Sequence, residues 1–187
     1  ESRFIGIKFL TLLSNVLSNI NPLAAQLDWQ SGAIEPHLYS KKPDAGERPT
    51  VIERDNGELL SLMRGHPRVK QSVSKDGGTT WTTPENTDLN CPDSGIAATK
   101  LSSGRVLLAY NDTPEWDRTP LTIIQSTDDG KTWGEKKVIE QDWGEFSYPC
   151  IIQSSDGMIH LTYTYRRFSI KHVAFDEKWL ITKERPN

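Results

Sequence analysis

From residue 47 onward, the chain alternates between short apolar runs and polar turns that contain a glycine. The turns lie at 55–57, 102–104 and 155–157, and their glycines are spaced by 47 and 53 residues. Asn-Gly and Asp-Gly between apolar runs indicate hairpins, because the tight primed turns that they favour need a positive φ. The predicted strand pairs are 49–53 with 59–63, 96–100 with 106–110, and 149–153 with 159–163.

A third strand is predicted after each hairpin, over 68–74, 121–126 and 169–175. The first two of these strands run into the same pattern, S-x-D-x-G-x-T-W, at 74–81 and 126–133. Ser and Asp can hydrogen-bond the turn backbone, Gly supplies an uncommon φ, and Trp can pack under the sheet. We interpret the motif as a structural connector, since its acidic spacing does not match a calcium loop of the EF-hand type.

Repeating units of about 50 residues with three or four strands each predict an all-β fold built of propeller blades. About three blades are expected here, whereas closed propellers have roughly four to eight. The segment 26–46 is too short for another blade. We therefore expect a partial β-propeller over 26–187 that is incomplete or is completed by another chain. Open blade edges make self-association through strand pairing a further expectation.

Composition narrows the classes of partner. The net charge is −3 and the pI is about 5.8, which argues against nucleic acid because phosphate binding needs a basic face. Hydrophobic residues make up 35% of the chain, as expected of a soluble protein rather than a membrane protein. The two cysteines, Cys91 and Cys150, lack the spacing of a zinc site. We expect two buried free thiols, with a disulfide as the alternative.

The N-terminal segment differs from the repeats. Residues 4–17 are mostly apolar, Arg3 and Lys8 add positive charge, and 22–26 contain small residues typical of a cleavage region. This pattern predicts a secretory signal peptide over 1–25, too short to span a bilayer, and a secreted or periplasmic protein. The alternative is a short amphipathic helix that belongs to the fold.

The doubled S-x-D-x-G-x-T-W motif, followed by FSYPCII at 146–152, resembles the exo-α-sialidase (neuraminidase) family. There the motif is the Asp-box of the BNR repeat, and the order of these features is similar to the C-terminal half of the family. The resemblance covers residues 44 to about 176. It implies a six-bladed propeller of the sialidase type, cleavage of terminal sialic acid from glycans, and no cofactor or metal.

The resemblance also implies roles for individual residues. The family binds the sialic acid carboxylate with three arginines and uses a tyrosine nucleophile, an assisting glutamate and an aspartate acid/base. Arg64 matches the second arginine, Arg118 the third and Tyr148 the nucleophile. Glu47 matches the assisting glutamate, with Glu145 as the alternative. We expect no segment of this chain to match the first arginine or the aspartate, which belong to early blades.

These residue types suit the implied chemistry. The planar fork of an arginine binds a carboxylate through two parallel hydrogen bonds, so Arg64 and Arg118 together would select an anion. A neutral tyrosine avoids the like-charge repulsion that a carboxylate nucleophile would meet beside the sugar carboxylate, and a nearby base can activate it. The alternatives are a packed aromatic for Tyr148, surface ion pairs for the two arginines and a solvated carboxylate for Glu47.

Alignment of the repeats on their turn glycines supports a polar site at one end of the blades. Glu47 and Arg48 fall on positions 94 and 95 of the second repeat, and on 147 and 148 of the third. Polar residues thus recur at matched places beside apolar strands. We expect a retaining exo-α-sialidase-like glycoside hydrolase that acts on sialylated or other acidic glycans. The alternatives are a non-catalytic carbohydrate-binding or scaffold propeller and an inactive fragment.

Overall fold

The computed structural model describes residues 47–182, which form eleven β-strands and one short α-helix. The strands are β1 (Glu47–Glu53), β2 (Leu59–Arg64), β3 (Arg68–Ser74), β4 (Glu85–Asn90), β5 (Ala97–Lys100), β6 (Val106–Asn111), β7 (Leu121–Ser126), β8 (Lys136–Glu140), β9 (Phe146–Gln153), β10 (Ile159–Tyr165) and β11 (Ser169–Phe175), and the helix is α1 (Glu177–Ile181). The predicted signal peptide over 1–25 lies outside the described residues and stays a prediction.

The strands form three antiparallel sheets that follow the chain in order. The first sheet is β1-β2-β3-β4, the second is β5-β6-β7-β8 and the third is β9-β10-β11. The first strands of successive sheets are neighbours, since Thr50 Oγ1 on β1 accepts a 3.0 Å hydrogen bond from the backbone N–H of Ala98 on β5. Each sheet is one blade, which confirms the predicted all-β partial propeller of three blades.

The three predicted hairpins are confirmed, but their turns are wider than expected. The N–H groups of Gly57, Gly104 and Gly157 each donate a 2.9 Å bond to the carbonyl three residues earlier. Only the glycines have positive φ, at 81°, 86° and 85°, while the two residues before each glycine do not. The connections are therefore type I turns closed by a left-handed glycine rather than two-residue primed turns.

The hydrophobic core lies on both faces of the second blade. Every residue of β6 and β7 is buried, which is expected of a sheet that is covered on both sides. Side chains on β6 alternate between two clusters. Leu107 and Ala109 pack with the third blade, whereas Val106 and Leu108 pack with the first. The second blade thus joins the other two into one folded unit.

The outer strands of the blades carry weaker apolar patterns. β4 and β8 each contain a single buried residue, and the sequence pattern locates neither strand. β11 forms an edge of its sheet among the described residues, and Ile170 on it is 71% exposed. Helix α1 follows, capped by the Asp176 side chain, which accepts from the N–H of Trp179 at 2.9 Å. Self-association through blade edges stays a prediction.

Both S-x-D-x-G-x-T-W motifs adopt the same closed turn. In the second motif, Ser126 Oγ donates to Asp128 Oδ1 at 2.7 Å and accepts from the N–H of Gly130 at 2.9 Å. Asp128 also accepts from the N–H and the hydroxyl of Thr132, at 2.8 and 2.6 Å. The motif at 74–81 repeats these four bonds.

These bonds explain why the motif is a connector. Hydrogen bonds from Thr132 and then from Ser126 lower the pKa of Asp128 to about 2. Hydrogen bonds from Thr80 and then from Ser74 do the same for the pKa of Asp76, again to about 2. Each carboxylate is therefore ionised and fully engaged in its own turn, as the structural interpretation predicts.

Neither cysteine forms a disulfide. Cys91 is buried, and burial raises the pKa of its thiol. Cys150 is exposed, so the expectation of two buried thiols holds for Cys91 alone. The difference follows from strand alternation, because Cys150 occupies an outward position on β9 between buried Pro149 and Ile151.

Candidate active site

Two bulged strand positions carry side chains at the same end of the first and third blades. The pairing of β1 with β2 shifts register between Glu47 and Thr50, and that of β9 with β10 shifts opposite Thr162 to Thr164. Arg48 and Tyr148 lie in these bulges with φ of 55° and 53°. Such values are uncommon for residues other than glycine.

The sequence explains these bulges locally. Arg48 is followed by Pro49, and Tyr148 is followed by Pro149. Proline cannot donate a ladder hydrogen bond, so within sheets it occurs at edges and bulges, and it also keeps the preceding residue out of the right-handed helical region. Gly95, the equivalent residue of the second blade, is followed by Ile96 and does not have a positive φ.

Tyr148 is flanked by two guanidinium groups. The Cζ atom of Arg118 lies 5.2 Å from the centroid of its ring, and the Cζ of Arg48 lies 5.7 Å from it. Both distances fall within the range of cation–π contacts. The hydrogen bond and charge of Arg118, and then the charge of Arg48, lower the pKa of the Tyr148 hydroxyl. The side chain remains 46% exposed, so it is accessible from solvent.

Gly95 lets the second blade approach this tyrosine closely. A Cβ atom at position 95 would lie 3.0 Å from Tyr148 Cδ1 and 3.4 Å from its Cα. Any side chain there would push against the ring. The absence of a side chain at Gly95 therefore fixes where the Tyr148 ring can lie.

Glu145 holds Arg118 in place. Its Oε1 atom accepts hydrogen bonds of 2.9 Å from Arg118 Nη1 and from Ser147 Oγ, and its Oε2 atom accepts from Arg167 Nε. Partial burial acts to raise the pKa of Glu145, but the bonds from Ser147 and Arg167 and the charge of Arg118 lower it overall. A carboxylate with so many donors is a weak base.

Arg64, at the end of β2, contacts the segment that contains Gly95. Its Nε atom is 3.4 Å from Asp93 Oδ1, and Asp93 precedes Gly95 by two residues. The backbone of Arg64 pairs with that of Glu47 at the start of β1. The Glu47 side chain lies outside the described part of the chain.

A buried hydrogen-bond network connects the second blade to the strand that carries Tyr148. Ser94 Oγ donates to Asn111 Oδ1 at 2.7 Å, and Asn111 Nδ2 donates to the carbonyl of Phe146 at 2.9 Å. Ser94 and Asn111 are completely buried. Because Phe146 starts β9, this network links the second blade to the strand that carries Tyr148.

An exposed aromatic stack borders the two predicted arginines. The rings of His66 and Trp116 are 3.9 Å apart and nearly parallel, at 9°. His66 follows Arg64 by two residues, and Trp116 precedes Arg118 by two. Sequence reasoning assigned nothing to His66 and did not single out Trp116, because no local pattern brings the two loops together.

A polar cleft of about 270 Å³ opens at the opposite end of the blades. It is lined by the hairpin turns of the first two blades, by the second Asp-box and by Glu177 of α1. Two ion pairs involve its lining: Asp129 pairs with the adjacent Lys100 at 2.6 Å, and Arg105 pairs with Glu177 at 2.9 Å. This cleft is therefore a network that joins the first two blades and α1, remote from Tyr148.

Residues 47–182 show neither an arrangement of side chains for a metal ion nor a helix that could span a membrane. Among them, no group of three or more His, Cys, Asp or Glu side chains is arranged to hold a metal ion. Their one described helix is also too short to cross a bilayer.

The BNR repeat-like domain family matches residues 23–161, most of the chain. The chain belongs to this family. A relative, the sialidase of Micromonospora viridifaciens, is 30% identical over 143 residues, which cover 70% of this chain and 22% of that protein. The chain therefore spans about a fifth of the length of this curated relative. The resemblance to sialidases stated from the sequence is thus confirmed.

Solved structures agree with the propeller fold of this BNR repeat-like chain. The NanB sialidase from Streptococcus pneumoniae has a TM-score of 0.64 and 16% identity, over 73% of this chain and 24% of that one. The intramolecular trans-sialidase from Ruminococcus gnavus has a TM-score of 0.62 and 18% identity, over 78% of this chain and 36% of that one. At these identities the likeness establishes the fold alone.

The structure of the BNR repeat-like chain brings some of the predicted site residues together. Tyr148 and Arg118 are in contact, and Arg64 is linked to their surroundings through Asp93. Glu145, the alternative to Glu47, contacts Arg118. Arg48, to which the sequence analysis gives no role in the site, also contacts Tyr148. The alignment of the turn glycines had already placed Arg48 level with Tyr148.

Proposed function

We propose that this chain carries part of the active site of an exo-α-sialidase-like glycoside hydrolase that removes terminal sialic acid from glycans with retention. The contact between Tyr148 and Arg118 is the observation that carries this proposal. A tyrosine with a lowered pKa, half-exposed beside a guanidinium, is a candidate nucleophile rather than a packing residue.

Each residue has a defined role in the proposed reaction. The Tyr148 oxygen attacks the anomeric carbon of the sugar, and the bond to the leaving glycan breaks as the departing oxygen takes up a proton from water. Arg118 and Arg64 bind the sugar carboxylate through charge-assisted hydrogen bonds, while Glu47 assists the loss of the Tyr148 proton. Water then displaces the tyrosine, and two successive inversions give net retention.

Glu145 fits the role of a positioning residue better than that of the base. Three donors from Arg118, Ser147 and Arg167 already occupy its oxygens. Because the pKa of Glu145 is lowered, it would accept the phenolic proton poorly. We propose that it orients Arg118 toward the carboxylate of the substrate.

The conformation of Tyr148 supports a functional role independently of its charge partners. A positive φ in a residue other than glycine costs roughly 1–3 kcal/mol and persists where the surroundings impose it. The Tyr148 bulge turns the side chain to the same end as Arg118 and Arg64. Glycans outside the cell are the proposed substrates, in line with the predicted secretion.

The test is hydrolysis of a fluorogenic sialoside by the purified chain and two matched variants. Tyr148→Phe removes the proposed nucleophile and should lower turnover roughly 1,000-fold or more. Tyr165→Phe removes a phenolic hydroxyl from neighbouring β10 and should leave turnover near that of the wild type. Equal turnover in Tyr148→Phe and wild type contradicts the proposed nucleophile.

A second measurement separates the enzyme from a binding protein. Sialic acid affinity is measured by calorimetry for the wild type and for Arg118→Ala. Binding that depends on Arg118 without any turnover favours a non-catalytic carbohydrate-binding propeller. If the chain shows no turnover and no binding of sialic acid, the assignment of this end of the blades as a site for acidic sugars is contradicted.

A further inference from the structure

Arg48 is the residue of the Tyr148 surroundings to which nothing above assigns a role. Its Cζ lies 5.7 Å from the centroid of the Tyr148 ring, and its side chain is otherwise exposed. Its backbone is held at φ 55° inside the β1 bulge. A surface arginine has no need of a strained backbone, so a strained arginine aimed at a tyrosine indicates a function.

The repeat geometry explains how Arg48 reaches Tyr148. Arg48, Gly95 and Tyr148 each lie nine residues before the turn glycine of their blade. They are therefore at the same height, where the first strands of the three blades are neighbours. Gly95 in the middle carries no side chain, and a Cβ atom there would lie only 3.0 Å from Tyr148 Cδ1. This leaves space through which Arg48 of the first blade contacts Tyr148 of the third.

We propose that Arg48 is a positioning residue that acts with Arg118 to stabilise the ionised form of the Tyr148 hydroxyl. Two guanidinium groups near one phenol oppose its protonation, because each gains Coulomb energy when the oxygen becomes negative. A cation also interacts more strongly with the ring of a phenolate than with that of a phenol. The proton lost from Tyr148 passes to solvent water.

The charged groups around Tyr148 are consistent with this role. Arg48 comes from β1 and Arg118 from the loop before β7. Glu145, before β9, contacts Arg118, and its charge is compensated by Arg118 and Arg167. Asp93, on the segment that packs against Tyr148, is paired with Arg64. The two charged side chains described against the ring, Arg48 and Arg118, are both cations.

For the reaction, this inference rests on the proposed function. A partly ionised Tyr148 needs less help from a carboxylate base such as Glu47, since little of its proton remains to be removed at attack. The ionisation itself can be measured without substrate. Failure of the inference and failure of the proposed function are therefore distinguishable.

The experiment is a titration of tyrosine ionisation by ultraviolet absorbance in wild type, Tyr148→Phe, Arg48→Gly and Arg48→Lys. Burial raises the pKa of Tyr110 and of Tyr163, so neither interferes with an early step. Arg48→Gly removes the cation and suits the left-handed backbone, so this variant should fold. Arg48→Lys retains the charge. Arg54→Gln, at the far end of the same blade, is the control for net charge.

We expect one tyrosine to ionise below its ordinary pH in wild type and this step to disappear in Tyr148→Phe. In Arg48→Gly the step should move up by roughly half to one pH unit, given one half-exposed charge at this distance. Arg48→Lys should keep most of the early ionisation, and Arg54→Gln should leave it unchanged. An early step that is absent, or unmoved in Arg48→Gly, overturns the inference whether or not sialosides are hydrolysed.

If the chain hydrolyses a sialoside, the acid limb of its rate–pH profile gives a second reading. That limb should shift upward in Arg48→Gly by the same interval as the spectroscopic step, with a smaller change in KM than in kcat. A change confined to KM with an unmoved limb would instead make Arg48 a substrate contact and overturn the positioning role.

Discussion

The two ends of the blades differ in which residue types adopt a positive φ. At the turn end, positive φ values fall on glycines such as Gly57, Gly104 and Gly157, where they cost little. At the Tyr148 end, most positive φ values fall on Arg48, Tyr148 and other residues that carry side chains, and Gly144 is the exception. Of the six described residues of this kind other than glycine, five lie at the Tyr148 end. Positive φ in residues other than glycine is thus concentrated at the end of the blades where we propose the active site.

The two ends also differ in how their charged side chains are engaged. At the turn end, the Asp-box carboxylates and Lys100 are satisfied within the fold. At the other end, Tyr148 is half-exposed beside Arg118 and Arg48. The comparison teaches that polar residues at one end hold the blades together, while those at the other remain available to a ligand.

The largest expected effect separates two arginines of equal exposure. Arg118 and Arg105 are both 23% exposed and each is 2.9 Å from a carboxylate oxygen, but they lie at opposite ends. Arg118→Gln should lower sialoside hydrolysis roughly 100-fold, the loss expected for one charge-assisted contact of about 3 kcal/mol. Arg105→Gln should leave hydrolysis unchanged. Equal losses in the two variants would show that the ends do not differ in function.

The next effect is on stability and belongs to the turn end. A Cβ atom at Gly130 would lie 2.6 Å from Leu60 Cδ2, which is completely buried, whereas one at Gly77 meets open space. Both glycines have positive φ. Gly130→Ala should lower the free energy of unfolding by about 2–4 kcal/mol and Gly77→Ala by about 1–2 kcal/mol. Urea unfolding measures both changes in the free energy of unfolding. Equal changes in the two variants would contradict the contribution assigned to the Leu60 contact.

A smaller effect concerns acid. Because the pKa of Asp128 is lowered to about 2 in the folded chain, its contribution to stability is present above the unfolded value near 3.9 and disappears as the pH falls toward about 2. Asp128→Asn should therefore lower the melting temperature at pH 6 and reduce the loss of stability on acidification. Asp88→Asn, outside both motifs, is the control. An unchanged acid dependence in Asp128→Asn contradicts the role given to the motif.

The smallest expected effect is on the free energy of unfolding when glycine replaces Arg48 or alanine replaces Gly57, both at positions with positive φ. Arg48→Gly relieves a left-handed conformation worth about 1–2 kcal/mol but adds chain entropy of about 0.5–1 kcal/mol to the unfolded state. The free energy of unfolding should therefore change by less than about 1 kcal/mol. Gly57→Ala, the reverse exchange in the same blade, should cost about 1 kcal/mol. A large loss in Arg48→Gly would mean that Arg48 serves the fold.

The strands were predictable where local chemistry determines them. Each hairpin has an apolar run on both sides of a glycine turn, and the observed strands β1, β6 and β10 differ from the predicted ones by only one or two residues at an end. β4 and β8 were not located, because their exposed positions carry Glu, Asn and Lys without strong alternation. Their place in the sheet is set by pairing with β3 and β7, which a single segment does not encode.

The site was predictable only in its parts. The residues Arg118 and Tyr148 are 30 positions apart, and only the folded blades bring them into contact. The importance of Arg48 was missed, since the sequence does not reveal that Pro49 helps to place it in a bulge. The signal that could have located both bulges is the proline that follows Arg48 and Tyr148, at positions 49 and 149. Glu47 as the assisting glutamate remains a prediction.

We propose that the Tyr148 end of the blades carries the nucleophile. The most direct measurement is mass spectrometry of the chain after incubation with a sialic acid analogue that bears fluorine beside the anomeric carbon, which slows release of a covalent intermediate. We predict one added sugar on the peptide that contains Tyr148, and none in Tyr148→Phe. A chain that hydrolyses sialosides but carries the label on another residue, or on none, would contradict the account.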